Sequence, residues 1–484
     1  MQRSLTYRPF LLVLACFSLF TGTAKPEAKV SKAVLSETEI PLNVTQVALG
    51  GLHSTAAGLK GKIFSWGYNG FGQLGDGANN DRKKPFSISD KIELNVGEEI
   101  AQVSYGYNHS TILTSTSRVF TWGRNDYGQL GNNSVVSRST PDEITSKFNL
   151  AQYEIITRII CLGSNHSAAL SSNNRVFLWG NNNYGQIGNN TTENCLVPTD
   201  ITSYFHLHAD ERVVKVVTGE FHSGAFTTDG RVFTWGLNKV TGQLGDGTDT
   251  NRLVPTDITS QFNLHSGETI IDLSLGGGHS SALSSEFRVF TWGNNVNGQL
   301  GDGSSVISRW TPSDITPQFG IGSEEAITQV CLRGANSSAL TTTGRVFTWG
   351  DNSFGQLGDG TLEKKSTPID ITAKFDLVSD EIVMQVSLGF GHAAAVTTAG
   401  RLFTWGRNNY GQLGDGTTVD VSTPTIIDVV PSTEDPDTPP TPTATPNGDY
   451  SWAWWFLLLL LIPAGYFVYR YRKNIAGLFK KKKQ

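Results

Sequence analysis

A Trp-Gly dipeptide recurs seven times, at Trp66, Trp122, Trp179, Trp235, Trp292, Trp349 and Trp405, at intervals of 56 or 57 residues. Thirteen residues before each Trp lies a second fixed slot: His53, His109, His166, His222, His279, Asn336 and His392. Six or seven residues after each Trp, Gly-Gln-Leu/Ile-Gly begins at Gly72, Gly128, Gly185, Gly242, Gly298, Gly355 and Gly411. Self-similarity at such a period means a repeat architecture, in which a unit buries its apolar face only against its neighbours. The 52 Gly among 484 residues therefore belong to turns, since they follow no three-residue collagen period.

Each unit reads as short strands. In residues 381–429, Val383, Gln385 and Ser387 with their apolar alternates form a first strand ended by Gly389. His392 to Val396 forms a second, Thr397 to Gly400 a hairpin turn, and Arg401 to Trp405 a third with period-two alternation. Thr423 to Val429 supplies a fourth. Four strands in each of seven units predict an all-β fold, a seven-bladed β-propeller over residues 25–430, whose radial closure protects the sheet edges. A linear solenoid is the alternative; the count of seven and the lack of polar capping units favour the ring.

The two ends read differently. Residues 1–24 carry Arg3 and Arg8, an apolar run to Phe20 and small residues to Ala24, the layout of a secretory signal peptide. Cys16 offers a lipoprotein reading, which the apolar Phe17 to Phe20 continuation disfavours. Residues 431–450 are rich in Pro, Thr and Ser and predict an extended stalk. Residues 451–469 are apolar, with Trp452, Trp454 and Trp455 at one edge and Tyr466 and Tyr469 at the other. At ~1.5 Å per residue they are just long enough for one transmembrane helix. Residues 470–484 hold seven Lys and Arg and no acidic residue, which predicts a cytoplasmic tail. This order also resembles a cell-wall sorting signal, but no LPxTG-like motif precedes the span. The expected location is the cell membrane, with a single pass and the propeller extracellular.

Removing the nine positive charges of the two ends from a net −5 leaves the remainder at −14. Bulk attraction to nucleic-acid phosphates is therefore not expected, and the membrane is engaged only through the C-terminal helix.

The GxxHSxAL, GRVFTWGxNxxGQLGDG and TPxDI elements resemble the regulator of chromosome condensation repeat family over residues 44–429. The resemblance implies a seven-bladed propeller. Its members include a nuclear guanine-nucleotide exchange factor, ubiquitin-ligase modules and a secreted inhibitor of β-lactamase. The sequence departs from the pattern at Arg333 and Asn336, by an extra residue between Trp235 and Gly242, and in longer DITxxF connections. It contains no long wedge insertion of the kind the exchange factor uses.

Apparent chemical motifs dissolve into the repeat. Equivalent His in different blades lie too far apart to share an ion at about 2 Å, so a structural role between strands is expected. Gly-Asp-Gly at Asp76, Asp246, Asp302, Asp359 and Asp415 lacks the alternating carboxylates of a calcium loop and reads as turn chemistry. Gly-x-Gly combinations open no βαβ unit, and no Ser-His-Asp set stands apart from the repeats. Cys161, Cys195 and Cys331 make no disulfide framework. No catalytic residue, cofactor or metal is expected.

A partner surface is expected where loops vary while their neighbours repeat. The loops after strands one and three share a face of an antiparallel blade. They place Tyr107, Phe221, Arg333 and Phe390 in one set and Tyr68, Arg124, Asp351 and Arg407 in the other. Aromatics and Arg are favoured anchors of protein interfaces. The slot of Phe71, Tyr127, Tyr184, Phe354 and Tyr410 is expected to pack between blades. The function that follows is a non-catalytic platform for a protein or a surface polymer. The alternatives are inhibition of a secreted enzyme and, by resemblance, guanine-nucleotide exchange on a GTPase.

Overall fold

The computed structural model describes residues 44–58, 61–160 and 163–429. The expected signal peptide, stalk, span and tail, and Cys161, lie outside the described residues. Among the described residues no helix is long and apolar enough to cross a membrane.

Seven antiparallel sheets follow one another, each of four strands in simple sequential order. Blade one comprises Val44–Leu49, His53–Gly58, Ile63–Gly67 and Arg82–Ser87. Blades two to seven span residues 100–143, 156–200, 213–257, 270–314, 327–370 and 383–427. The strand bounds differ from the sequence expectation by one or two residues: blade seven uses Val383–Leu388, His392–Thr397, Leu402–Gly406 and Val421–Ile427.

Strands two and three do not show the expected alternation of burial. In blade three, His166–Ser171 and Val176–Gly180 are buried at every position. The sheet is covered on both faces by its neighbours, so polar residues inside it need internal partners. Thr121 shows how this is met: its hydroxyl donates to Leu130 O at 2.8 Å, and Thr348 and Thr404 repeat the bond to Leu357 O and Leu413 O. First strands line the axis, and fourth strands form the exposed outer edges.

The DITxxF connections fold into short 3-10 turns, including Thr145–Phe148, Thr202–Phe205, Thr316–Phe319 and Thr372–Phe375. Each carries its Phe into the next blade. Phe148 stands edge-on to Phe177 at 5.3 Å and to Trp179 at 5.6 Å, and Phe375 does the same to Phe403 and Trp405. What the sequence shows as a longer connection is a latch between blades.

Closure uses no shared strand, because blades one and seven are each built from contiguous chain. The seam is a packed one. Val44, Val47, Leu49 and Trp66 share a core with Val396, Leu402 and Ile427. The Gln385 amide acts as a substitute strand segment: its Oε1 accepts from Val47 N at 3.2 Å and its Nε2 donates to Val47 O at 2.8 Å. Gln102 makes the same two bonds to Ile159 in blade three. The chain is a closed ring, not a solenoid.

Candidate protein-binding face

The contacts repeated at the blade junctions hold the ring together and are distinct from the side chains free to bind. At each of six junctions a His in one blade meets a Ser in the next. The pairs are His53–Ser110 (3.2 Å), His109–Ser167 (2.9 Å), His166–Ser223 (3.0 Å), His222–Ser280 (2.9 Å), His279–Ser337 (3.0 Å) and His392–Ser54 (3.1 Å). Each Ser hydroxyl spends its one proton on the carbonyl of a loop Gln, as in Ser110 to Gln73 O at 2.7 Å. Nε2 must therefore be the donor to Ser, which fixes the tautomer and leaves the buried Nδ1 bare. The same Gln carbonyl accepts the indole N–H of the blade's Trp, as in Trp122 to Gln73 O and Trp179 to Gln129 O, both at 2.9 Å. Burial holds His109, His166, His222, His279 and His392 at about 3, so the rings are neutral.

This network explains the Gly of GxxH. The His ring lies over that glycine, so a Cβ on Gly106 would sit 1.9 Å from His109 Cε1, and one on Gly389 would sit 2.1 Å from His392 Cε1. Blade six breaks the pattern at three linked positions: Arg333 replaces the Gly, Asn336 the His, and Ala393 of blade seven the Ser. With no imidazole over the turn, a side chain fits there.

The Gly-Asp-Gly carboxylates are occupied locally. Asp76 accepts from Asn69 Nδ2 (3.1 Å), Ala78 N (2.9 Å) and Arg82 Nε (3.0 Å). Asn69 Oδ1 in turn receives Leu74 N at 3.0 Å, so the pair holds the loop after strand three.

The loops after strands one and three do share a face. Tyr68 N bonds Leu52 O, Arg124 N bonds Asn108 O, and Arg407 N bonds Gly391 O, each at 2.8 or 2.9 Å. The loops after strand one also bond one another around the axis. Gly51 N reaches Tyr107 O, Glu220 N reaches Gly276 O, Gly277 N reaches Gly334 O, and Phe390 N reaches Gly51 O, at 2.9 to 3.1 Å. Tyr107 and Phe390 meet above them at 5.4 Å.

Arg333 lies within this ring at 1% exposure, so it is part of the interior and not a surface anchor. Sequence reasoning took a loop position to be exposed. Burial lowers its guanidinium from its usual value and Glu220 opposes that shift; burial likewise raises the Glu220 carboxyl, against the pull of Arg333.

The other seven sequence-selected residues are half-buried on the face. Tyr68 packs on Tyr410 at 4.8 Å, Arg124 stacks over Phe71 at 4.8 Å, and Arg407 over Phe354 at 4.7 Å. Phe221 meets Tyr184 at 5.8 Å, and Asp351 accepts from Gln356 Nε2 at 2.9 Å. The Phe71 slot thus packs between blades as expected, but at the surface: Tyr184 is 39% exposed. Phe354, Arg407, Tyr410, Tyr68, Phe71 and Arg124 form an arc over blades six, seven, one and two, with Tyr107 and Phe390 on its axial side. Tyr127 is also half-buried on this face.

On the axis a cavity of about 220 Å³ is lined by Gln102, Ser104, Asp272, Gln329 and Cys331, with Lys215 paired to Asp272. It holds one carboxylate, already matched, so it offers no acid–base pair. Cys195 and Cys331 are free thiols.

A second repeated set on the opposite end escaped the sequence reading. Arg118, Arg175, Arg231 and Arg288 each bridge two carboxylates: Glu98 and Glu143, Glu154 and Asp200, Glu211 and Asp257, Glu268 and Asp314. Each also stacks over the Phe two residues on, as Arg118 does over Phe120 at 4.7 Å. The signal was a Glu twenty or twenty-one residues before the Arg of each Arg-Val-Phe triplet.

The RCC1-like domain model matches residues 21–325 and 202–438. The chain is 33% identical over 392 residues to the ultraviolet-B receptor UVR8 of Arabidopsis thaliana, covering 81% of this chain and 83% of that protein. It is 31% identical over 383 residues to the E3 ubiquitin-protein ligase HERC2 of Homo sapiens, covering 78% of this chain but 7% of that protein. Among solved structures, human WBSCR16 matches with a TM-score of 0.64 at 24% identity, over 76% of this chain and 94% of that one. Prp20p of Saccharomyces cerevisiae matches with 0.59 at 23%, over 72% and 80%. With a seven-bladed ring, six of whose junctions share the His, Ser, Gln and Trp contacts, and with the domain model matching most of its length, this chain belongs to the RCC1-like domain family.

Proposed function

We propose that the propeller is a non-catalytic binding platform that holds a protein, or a polymer of the cell surface, on the face carrying Tyr68, Tyr107, Arg124, Phe221, Asp351, Phe390 and Arg407. The observation that supports this reading is the arc of Arg–aromatic and aromatic–aromatic pairs across the closure seam. Rings and guanidinium groups there are already stacked on one another, so they lose little side-chain freedom when a partner covers them. The binding surface contains no acid–base pair or nucleophile with its base among the described residues, which favours binding over turnover.

The leader-like and apolar ends of the sequence support display on the outer side of a membrane. Regulation of a GTPase is the alternative, drawn from the family, and it requires the propeller in the cytosol. The test is affinity capture by the full chain with a face variant, Y68A/Y107A/F390A/R407A, beside it. A partner held by the parent and lost by the folded variant supports the platform; equal capture by both overturns the choice of face.

A further inference from the structure

The opposite end of the propeller, remote from the aromatic arc, carries two arginines that the fold does not use. Arg158, in the first strand of blade three, and Arg212, at the start of blade four, are both exposed. Elsewhere among the described residues arginine is committed. Arg82, Arg252 and Arg309 pair with Asp of their own loops, Arg118, Arg175, Arg231, Arg288 and Arg345 with two carboxylates each, Arg401 with Glu381, and Arg124 with Asp126. Arg138 faces Asp142, Arg407 lies on Phe354, and Arg333 is buried. The two uncommitted arginines line one groove of about 230 Å³ between blades three and four.

The repeat shows that neither residue is demanded by the scaffold. At the slot of Arg158 four sister blades carry Gln46, Gln102, Gln329 and Gln385, and Gln102 and Gln385 clasp the next blade. At the slot of Arg212 the sisters carry Glu99, Ile155, Thr269, Ala326 and Ile382. Blades three and four thus give up a clasp at Arg158 and place two permanent charges over one groove.

Its walls complete the chemistry. Asn174, in the hairpin of blade three at φ 60°, and Thr228 add polar side chains, and Val214 an apolar edge. Of the adjacent acids, Glu154 is held by Arg175 and Ser171, and Asp229 lies 3.5 Å from His208 Nδ1. Guanidinium groups match planar or tetrahedral oxyanions through paired N–H donors, and are less strongly hydrated than ammonium.

We propose that this groove is a binding site for a small oxyanion, a carboxylate or phosphate group with a short substituent, held between Arg158 and Arg212. It is independent of the face assigned above. In a domain whose net charge is strongly negative, such a site selects a single anionic group and not an anionic polymer.

The test is calorimetric titration of the full chain at low ionic strength with inorganic phosphate and, separately, with glutarate. The site predicts saturable one-to-one binding of at least one of them, weakening as salt rises. Saturation by phosphate alone assigns a phosphate source, and by glutarate alone a carboxylate source. R158Q/R212T installs the residues of sister blades, so it keeps the fold, and it lowers the affinity at least about tenfold; each single variant lowers it in part. R138Q, away from the groove, binds as the parent does. No saturation with either anion, or unchanged affinity in R158Q/R212T, overturns the proposal.

Discussion

Arg333 pairs with Asn336 across the tight turn of blade six, at the two positions that six sister blades fill with glycine and histidine. The exchange is coupled, because the imidazole of a sister blade occupies the space that a Cβ at the glycine position needs. Asn336→His alone therefore drives a ring against Arg333, and overpacking of this kind costs about 1–3 kcal/mol. Restoring the whole sister set, R333G/N336H/A393S, recovers the stability lost in the single variant. Urea unfolding of the parent, the single variant and the triple variant checks the coupling; a triple variant no more stable than the single one would contradict it.

The Trp slot is the second place where one atom reports on the ring. Trp179→Phe deletes the bond to Gln129 O and leaves a gap beside Phe148. A lost buried hydrogen bond plus a cavity amounts to roughly 2–4 kcal/mol. Gln129 sits in blade two, so the loss should appear as loosening of the junction between blades two and three. Hydrogen exchange resolved by segment measures it, with faster exchange at residues 129 and 179 than in blade six.

Acid should unfold the protein in two stages. His109, His166, His222, His279 and His392 have folded values lowered to about 3 from 6.5, so between these limits the unfolded chain binds more protons than the folded one. Stability is complete above about pH 6.5 and falls as pH drops towards 3. The Arg-paired carboxylates follow. Hydrogen bonding from Arg401 is the main cause that brings Glu381 down to about 2. For Glu98 burial works to raise the carboxyl, and bonds from Thr114, Thr116, Asn95 N and Arg118 overcome it to give about 2. Their stabilisation is present above about pH 4.5 and is lost as pH falls towards 2. Denaturant midpoints between pH 8 and 3 check this, and His279→Asn should reduce the steepness below pH 6.5 by up to one proton.

Orientation is separable from folding. Display on the outer side predicts that protease added to intact cells releases fragments of the propeller, cut first in exposed loops such as that of Val135 and Val136. Protection of all seven repeats on intact cells, with cleavage after lysis, would place the propeller inside and favour GTPase regulation.

Much of the ring was legible because the residues that build it recur at fixed spacing: Trp179, His166 and the Gly-Gln-Ile-Gly after them all appear in one unit of 56 or 57 residues. The fourth strand was legible as well, to within two residues. The carboxylates of the Arg118 type were not, since Glu98 and Glu143 flank their Arg at distances that the short motifs do not span. Arg333 was misplaced for a related reason. Variation at a loop position was taken for exposure, whereas its cause is the missing imidazole three residues on. The surface arc was half-read: Phe71 and Arg124 were assigned to different roles, yet they stack on one another.

The central claim is that the arc around Tyr68 and Arg407 holds a partner. Crosslinking mass spectrometry of the full chain with the partner it captures tests this most directly. Crosslinks should concentrate on Lys239, Lys364 and the other Lys near the loops after strands one and three, and vanish in Y68A/Y107A/F390A/R407A while its melting temperature is kept. Crosslinks centred instead on Lys147 and Lys374, beside the 3-10 turns, and unchanged in that variant would contradict the account.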